Sequence, residues 1–448
     1  MNTPQQPIDI AAVIDAAPLS RLQLRILTMV GLTVLIDGFD VQSMGFVAPA
    51  IIHAWGADKA AFGIVFGAGL LGMLIGSLVL SVVADKIGRR PVLIGATFAF
   101  GLCMLATTQV TTITGLLVLR FVTGLGLGAI MPNAMALAAE FSPKRRRVTL
   151  MMWVSCGFTL GAVLGGLISA ALIPVWGWQS VFVVGGVVPI ALSAMMAFYM
   201  PESMLFSVVR GTGLVRVADT LRSIDPASAA TPESQYVVPE ARPKSAPIAE
   251  LFRSGRAKTT LLLWGVNFMN LLNLYFLSNW LPTIAKDLGL STSTAVLVGT
   301  TLQLGGVAGT LAMGPVIDRI GFYKVLIPAL FVAAFAIAAI GQTGLPLPLL
   351  FVVVGITGFS IIGGQPAINA LAATWYPTLL RSTGVGWSLG VGRLGSIIGP
   401  VIGGELMRMN WSNNSLFLAV AIPAVVSAGM LALMASARSG VPSSVTPC

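Results

Sequence analysis

The chain reads Gly31-Leu-Thr-Val-Leu-Ile-Asp37-Gly-Phe-Asp40-Val-Gln-Ser-Met-Gly-Phe-Val-Ala-Pro49 near its N terminus. This run is apolar and long enough to cross a bilayer, yet two carboxylates interrupt it. A helix turns about 100° per residue, so Asp37 and Asp40 lie on one face. Because an ionised carboxylate at membrane depth costs roughly 2.5–3.5 kcal/mol, the pair is expected to face protein or water. The pattern predicts a functional site, with a structural salt bridge to a neighbouring span as the alternative.

The composition of the whole chain is that of a membrane protein. Of its 448 residues, 56% are hydrophobic and only 9% are charged, which excludes an ordinary soluble domain. The net charge of +10 comes from Lys and Arg spread over short loops. The positive-inside rule explains that pattern, so no nucleic-acid partner is expected. Cys103 and Cys156 lie in apolar runs and Cys448 is the last residue, so neither a disulfide framework nor a cysteine metal site is expected.

Twelve apolar runs are separated by charges, Pro and Gly. They lie at 24–50, 60–83, 92–110, 113–139, 148–171 and 178–200, then at 259–284, 294–317, 324–342, 346–373, 383–407 and 414–436. Each is long enough as a helix to cross about 30 Å of hydrocarbon. The predicted fold class is therefore an all-α polytopic membrane protein with twelve transmembrane helices in two six-helix halves.

The same runs define the expected domains. These are a leader at 1–23, an N-terminal half at 24–200, a central linker at 201–257, a C-terminal half at 258–437 and a tail at 438–448. The leader, the linker, alternate loops and the tail with Arg438 are basic, whereas the opposite loops carry only Lys59, Lys286 and Arg408. Both termini and the linker are therefore expected in the cytoplasm. The linker is rich in Pro and is expected to offer nothing to bury.

The two halves repeat each other at offsets of 233 and 234 residues. The matches fall mostly on Pro and Gly: Pro49 with Pro282, Gly56 with Gly289, Asp85 with Asp318, Gly88 with Gly321, Gly124 with Gly358, and Pro132 with Pro366. A parallel repeat of this kind predicts a substrate site between the halves near the midplane.

The repeat breaks where charges occur in the spans. The mismatched pairs are Asp37 with Asn270, Asp40 with Asn273, Arg120 with Val354, and Arg393 with Thr159. These charges are therefore interpreted as later specialisations of one half or the other.

The turn between the second and third spans carries a charged motif. It reads Ser81-Val-Val-Ala-Asp85-Lys-Ile-Gly88-Arg89-Arg90 and is echoed by Gly314-Pro-Val-Ile-Asp318-Arg319-Ile-Gly321. Asp85 is expected to cap the next helix and to pair with a base, while Gly88 permits a tight turn. With this motif the chain resembles the major facilitator superfamily, although Ser81 stands where that pattern usually has Gly.

That resemblance implies a conformational gate on the cytoplasmic face, with a purely topological role as the alternative. The residues assigned to gating are Asp85, Arg89, Arg90, Glu140, Arg147, Asp318, Arg319 and Arg381.

Three further stretches resemble the aromatic acid:proton symporters within that superfamily. They are Asp37-Gly-Phe-Asp40, Arg120-Phe-Val-Thr-Gly124-Leu-Gly-Leu-Gly128-Ala-Ile-Met-Pro132-Asn133, and Arg381-Ser-Thr-Gly-Val-Gly-Trp387-Ser-Leu-Gly-Val-Gly-Arg393. The resemblance covers nearly the whole chain. It implies import of a hydroxybenzoate-class or plain benzoate acid with a proton, by alternating access across the bacterial inner membrane. The implied partners are an aromatic carboxylate, protons and the lipid bilayer, with no cofactor beyond the proton motive force. A monomer is expected.

Two arginines and a set of amides and rings are the candidate substrate contacts. Arg120 and Arg393 are the only bases well inside spans, and a planar guanidinium suits a carboxylate. For Arg120 the alternative is that it neutralises Asp37 or Asp40. Rings and amides suited to an aromatic acid are Phe39, Trp264, Tyr275, Phe359 and Trp387, with Gln42, Asn133, Asn267, Asn270, Asn273, Gln365 and Asn369.

Proton coupling is assigned to Asp37 and Asp40. Two like charges three residues apart raise the affinity of the pair for one proton. The sole histidine, His53, lies near the external end of the first span and is expected to be interfacial.

The competing function is a proton-driven antiporter that exports aromatic or drug-like compounds. The fifth span has Gly157-Phe-Thr-Leu-Gly161-Ala-Val-Leu-Gly165-Gly166, which lacks the Pro of the exporter signature. An enzyme is not expected, because the sequence offers no nucleophile–base pair, metal cluster or phosphate-binding loop.

Overall fold

The computed structural model describes residues 7–228, 230–237, 248–253, 255–342, 344–377 and 380–439. The Pro-rich part of the predicted linker at 238–247, the side chain of Arg438 and the predicted tail from residue 440, including Cys448, lie outside the described residues.

Fifteen α-helices form in the described residues. In chain order they are α1 (Ile10–Ala16), α2 (Arg21–Trp55), α3 (Lys59–Ile87), α4 (Arg89–Thr107), α5 (Ile113–Glu140), α6 (Arg147–Trp176), α7 (Gln179–Tyr199), α8 (Met204–Arg210), α9 (Leu214–Ile224), α10 (Ala257–Asp287), α11 (Thr292–Ile320), α12 (Phe322–Ile340), α13 (Leu347–Trp375), α14 (Arg381–Arg408) and α15 (Asn413–Ser439). A short 3₁₀ helix spans Ile248–Phe252, and strands β1 (Ile8–Asp9) and β2 (Tyr236–Val237) pair in parallel.

The twelve long helices confirm the predicted fold. Eleven of those described are long and apolar enough to cross a membrane. The twelfth, α2, has 35 residues and contains Asp37 and Asp40. Each predicted span coincides with one helix, apart from a few residues at the ends, because the charges, Pro and Gly that interrupt the apolar runs also end the helices.

The turn between the second and third spans has the same conformation in both halves. Gly88 precedes α4 with φ +107° and ψ 157°, and Gly321 precedes α12 with φ +89° and ψ 159°. A residue with a Cβ rarely adopts this positive φ, so the turn requires glycine. The matching backbone confirms that the sequence repeat is a structural repeat at this point.

The chain divides into two compact units whose bounds differ from the sequence halves. The first unit is drawn from Met1–Val41, Leu71–Gly165 and Gln179–Arg242, and the second from Gln42–Leu70, Gly166–Trp178 and Pro243–Cys448. In the second unit, a methyl group on Gly63 of α3 would lie 2.8 Å from the Pro400 carbonyl oxygen of α14. Close backbone contacts of this kind place the ends of α2, α3 and α6 in that unit.

Glycines allow the same helix crossing to occur once in each unit. In the first unit, a methyl group on Gly72 or Gly76 of α3 would overlap the carbonyl oxygen of Phe121 or Leu125 of α5. In the second unit the corresponding glycines, Gly305 and Gly309 of α11, face α13 at the carbonyls of Gly355 and Phe359. Small residues at such crossings let helix backbones touch without intervening side chains.

A second pair of crossings positions the charged spans. A methyl group on Gly38 of α2 would overlap the Phe158 carbonyl of α6, and one on Gly161 of α6 would overlap the Leu35 carbonyl of α2. In the second unit, Gly395 of α14 meets the Phe268 carbonyl of α10 in the same way. The first crossing lies beside the Asp37–Asp40 segment and the second lies beside Arg393.

The central segment is folded where it was expected to bury nothing. Helix α9 buries Val217, Ala218, Leu221 and Ile224, so the prediction is wrong for this part of the linker. These residues recur at three- and four-residue spacing, which makes one apolar face on an otherwise charged helix. The prolines elsewhere in the linker led to the prediction that the whole segment lacks a buried face.

Replacing Gly72 with Ala should destabilise the fold, because overpacking a close contact costs about 1–3 kcal/mol. The matched control is Gly95→Ala on α4, where nothing lies within 4 Å of the added methyl group. The measurement is the melting temperature of the detergent-purified variants. Equal melting temperatures would contradict the assigned backbone contact between α3 and α5.

Candidate functional site

The acidic pair of α2 is buried within the first unit. Asp37 and Asp40 are each only 1% exposed. The close crossing of α2 with α6 at Gly38 and Gly161 lies beside them. As predicted, the two carboxylates face protein rather than lipid.

Arg120 of α5 is an ion-pair partner of Asp40. Its Nη1 lies 3.5 Å from Asp40 Oδ1, and the side chain is 5% exposed. Its Nη2 donates to Met104 Sδ at 2.9 Å, and the guanidinium carbon lies 5.3 Å from the centre of the Phe182 ring. Protein groups therefore surround this guanidinium. The geometry matches the alternative interpretation, in which Arg120 neutralises one of the acids.

Two other residues predicted to contact substrate in the first unit already have partners within the protein. The ring of buried Phe39 packs on Gly165 and Gly185, whose added methyl groups would lie 3.2 Å and 3.1 Å from it. Asn133 donates to the Ala129 carbonyl at 2.8 Å.

In the second unit the predicted amides form one buried network. Asn270 Nδ2 donates to Gln365 Oε1 at 2.7 Å, and Gln365 Nε2 donates to Asn267 Oδ1 at 2.7 Å and to Asn369 Oδ1 at 3.1 Å. Asn267 Nδ2 donates to Ser388 Oγ at 2.7 Å, which joins α14 to the network. Sequence reasoning missed Ser388, because nothing distinguishes it from the other serines of the spans.

Asn273 lies on the same face of α10 as Asn270 and is fully buried. In the part of the chain that the structure describes, neither its amide nitrogen nor its amide oxygen has a hydrogen-bond partner, and Asn270 Oδ1 also has none. Buried amides are nearly always satisfied, so these atoms have hydrogen-bonding capacity to offer a ligand.

The remaining predicted amide is Gln42 of α2, and the remaining predicted phenol is Tyr275 of α10; both belong to the second unit. Gln42 is buried, and Tyr275 is half-buried, with its carbonyl accepting from Asn279 Nδ2 at 2.7 Å.

Arg393 of α14 differs from Arg120 in its surroundings. It is half-buried, and among the described residues no carboxylate lies within ion-pair distance of it. The adjacent Gly392 packs on Asn267, with 3.5 Å between an added methyl group and Asn267 Cβ. The segment of α14 that carries Arg393 therefore packs beside the amide network.

An aromatic pair completes this part of the second unit. The rings of Trp264 on α10 and Trp387 on α14 are stacked, with 5.9 Å between centres and 18° between planes. Trp387 remains 44% exposed, so the stack has an accessible face. The second unit thus combines a cation, amides and aromatic rings, which are the groups that an aromatic acid requires.

The first gating motif is assembled around two glutamates. Arg89 pairs with Glu140, and Glu140 Oε2 accepts from Ser203 Oγ at 2.5 Å. The backbone N–H groups of Arg89 and Arg90 donate to Glu202 Oε1 at 3.0 Å and 3.1 Å. Glu202 therefore caps α4.

This cap corrects the expectation that Asp85 caps the next helix. The N-cap residue of α4 is Gly88, which has no side chain, and the exposed Asp85 lies on α3 before the turn. Glu202 follows α7, which packs along α4, so its carboxylate reaches the free N–H groups. Sequence reasoning missed Glu202 because it is distant from the motif in the chain.

The other gating candidates have different surroundings. Arg90 Nη2 donates to the Ala197 carbonyl at 2.5 Å, and Arg147 Nε donates to the Ser142 carbonyl at 3.2 Å. Asp318, Arg319 and Arg381 are exposed, and the described residues include no hydrogen-bond or ion-pair partner for their side chains. The structure therefore brings together the first copy of the motif and not the second.

Repeated helix crossings, membrane-length helices and buried intramembrane charges define a polytopic membrane transporter. The family model of the Major Facilitator Superfamily matches residues 30–221 and 263–446, and the chain belongs to that superfamily. Within it, the chain belongs to the aromatic acid transporter family, as the sequence motifs predicted, and it is not an enzyme.

Two relatives illustrate this membership. The chain is 41% identical over 439 residues to the 4-hydroxybenzoate transporter PcaK of Pseudomonas aeruginosa, covering 97% of this chain and 98% of the relative. It is 39% identical over 433 residues to the gallate transporter of Pseudomonas putida, covering 97% and 96%. The solved structure of the xylose transporter XylE from E. coli is similar in fold, with a TM-score of 0.71, 16% identity and coverage of 91% and 95%.

Arg120→Gln should destabilise the protein more than the double variant Asp40→Asn/Arg120→Gln. The single change leaves the Asp40 carboxylate buried without its counter-charge, and breaking a buried pair costs about 3–5 kcal/mol. The measurement is a double-mutant cycle of unfolding free energies on purified protein. The exposed pair Lys59–Asp287 is the control, since such pairs contribute about 0–1 kcal/mol. Additive effects of Asp40→Asn and Arg120→Gln would contradict a coupled pair.

Proposed function

We propose that this transporter is a proton-coupled symporter that imports an aromatic carboxylate of the hydroxybenzoate class across the bacterial inner membrane by alternating access. The observation that carries the proposal is the difference between its two intramembrane arginines. Arg120 has Asp40 as a counter-charge, whereas Arg393 has no carboxylate partner among the described residues. Because an uncompensated cation at membrane depth is costly, an anionic substrate is the natural partner of Arg393.

Other groups on α10 and α14 suit the rest of an aromatic acid. The Trp264–Trp387 stack offers ring faces, and aromatic pairs contribute about 0.5–1.5 kcal/mol beyond the area that they bury. Asn273 can donate a hydrogen bond to a ring hydroxyl or accept one from it, and Asn270 Oδ1 can accept one. A site with such amides rejects a ring without the hydroxyl, because the amides then stay unpaired. The names of the 4-hydroxybenzoate and gallate transporters agree with this class of substrate.

The proton is proposed to bind to the Asp37/Asp40 pair. Protonation of Asp40 removes the charge that attracts Arg120, so the ion pair and the proton compete for one carboxylate. An aromatic anion entering alone is opposed by the inside-negative potential at about 2.3 kcal/mol per charge per 100 mV. Cotransport of one proton cancels that charge. In this proposal the proton motive force is the energy source, no cofactor takes part and a monomer is sufficient.

Gating is proposed for the charged cluster at the start of α4, on the side of the membrane that the distribution of Lys and Arg predicts to be cytoplasmic. Arg89, Glu140 and Ser203 connect α4, α5 and the segment after α7, while Glu202 caps α4. Such a cluster can form in one conformation and separate in another, because each of its bonds is between different helices.

The test is uptake of radiolabelled 4-hydroxybenzoate into proteoliposomes. An imposed inward proton gradient should drive accumulation, and a protonophore should abolish it. Asp37→Asn and Asp40→Asn should lose accumulation while retaining exchange, because an amide carries no proton. Asp58→Asn, at an exposed turn before α3, is the control and should behave as wild type.

Two results would contradict the symport proposal. A proton gradient that drives the acid out of loaded vesicles would favour the antiporter. Wild-type accumulation in both Asp variants would remove these residues from the coupling role.

Arg393→Lys should raise the KM for 4-hydroxybenzoate about 10- to 100-fold, since hydrogen bonds to charged groups contribute about 1.5–3 kcal/mol and an ammonium cannot reproduce the guanidinium fork. The control is Arg408→Lys at the exposed end of the same helix, which should keep the wild-type KM. The measurement is the initial uptake rate against substrate concentration. An unchanged KM in Arg393→Lys would show that Arg393 does not hold the carboxylate through two bonds.

A further inference from the structure

A cavity of about 590 Å³ lies within the second unit, apart from the amide network. The ends of α2, α6 and α10 and the start of α11 line it. Its volume falls in the range of about 300–1,000 Å³ that is typical of small-molecule sites. The residues around it include two basic side chains, His53 and Lys286, and no acidic one.

The positive charge of Lys286 at this cavity is not neutralised by the adjacent residue, Asp287. Asp287 follows Lys286 directly, but its Oδ2 pairs with Lys59 Nζ at 2.7 Å. Among the described residues, no ion pair includes Lys286. The half-buried ammonium of Lys286 therefore keeps its capacity to bind an anion.

Aromatic and apolar side chains line another part of the cavity. Trp178 is 7% exposed and contacts Trp55 edge to face, with 5.8 Å between ring centres and 88° between planes. This contact fixes the orientation of the indole. Pro49, Ile173 and Pro174 extend the apolar wall, and Thr292 and Ser293 add hydroxyl groups. The cavity thus offers a cation, an aromatic surface and hydroxyl groups within one enclosure.

We propose that this cavity is a second, outer binding site for a small aromatic carboxylate, in which Lys286 binds the carboxylate and Trp178 packs against the ring. The identity of the ligand rests on the proposed function. Lys286 is one of the few basic residues on the side of the membrane predicted to be external. The site therefore binds the anion before the anion enters the transport path. Such capture raises the local substrate concentration and the association rate.

The first test measures protection of a cysteine in the cavity. Cys103, Cys156 and Cys448 are replaced by Ser, Ser293→Cys is introduced, and intact cells are treated with a membrane-impermeant maleimide. Thr292→Cys is the second probe if Ser293→Cys fails to fold. 4-Hydroxybenzoate should slow labelling in a concentration-dependent manner, whereas acetate and 4-hydroxybenzyl alcohol should not. Protection should be lost in Lys286→Gln and kept in Lys258→Gln, which removes the same charge from the other end of α10.

Three outcomes of the labelling test would overturn the outer site. The first is absence of labelling from outside the cell. The second is equal protection by acetate, which would indicate a site without selectivity for the ring. The third is loss of protection in an Arg393→Gln background, which would mean that the probe reports binding elsewhere.

The second test separates the outer site from the proposed function. In uptake assays Lys286→Gln should raise the KM for 4-hydroxybenzoate about three- to tenfold with an unchanged maximal rate, as expected for a charge that acts on association. A wild-type KM in Lys286→Gln, together with unprotected labelling, would overturn the outer site alone. Protection without any transport of aromatic acids by the wild type would overturn the proposed function and leave the outer site standing.

Discussion

Hydrocarbon solvates no charge, so each ionised group among the spans requires a partner, and this constraint organises the whole structure. In the first unit it is met by the pair of Asp40 with Arg120, where the guanidinium also contacts Met104 and Phe182. In the second unit the helix that carries Arg393 also contacts the amide network through Ser388 and stacks Trp387 on Trp264. Among the described residues, no carboxylate lies within ion-pair distance of Arg393. The contrast between Arg120, which has a counter-charge, and Arg393, which has none among the described residues, supports the proposed roles of the two arginines.

Close helix packing is the second requirement, because buried charges are held only as firmly as the backbones that carry them. Glycines remove the side chains at the crossings of α2 with α6 and of α10 with α14. The same crossings occur in both units, while the polar residues beside them differ. Asp37 and Asp40 in one repeat correspond to Asn270 and Asn273 in the other. The two repeats thus share their packing, while acids in one and amides in the other give them different chemistry at equivalent positions.

Sequence predicted most of the fold because hydropathy and glycine spacing are local signals. The twelve spans, the repeat and the turn at Gly88 follow directly from them. The partners of individual charges were harder to predict from the sequence. Whether Arg120 pairs with an acid or with substrate depends on the register of α5 against α2, which no single segment encodes. Glu202 was missed for the same reason, since a cap supplied from over a hundred positions away leaves no local pattern.

The Asp40–Arg120 distance bears directly on how a proton can be exchanged at this site. A tight charge-assisted hydrogen bond between guanidinium and carboxylate measures about 2.7–2.9 Å, and it lowers the affinity of the carboxylate for a proton. The distance of 3.5 Å between Arg120 Nη1 and Asp40 Oδ1 is longer, so the two charges attract each other without the closest contact. The guanidinium also donates to Met104, whose thioether is a weak acceptor and holds it lightly. In the proposed mechanism, a small shift of α5 against α2 changes whether a proton or the arginine neutralises Asp40. In the proposed symport the proton and Arg120 compete for this carboxylate, and a looser pair opposes protonation less than a tight one does.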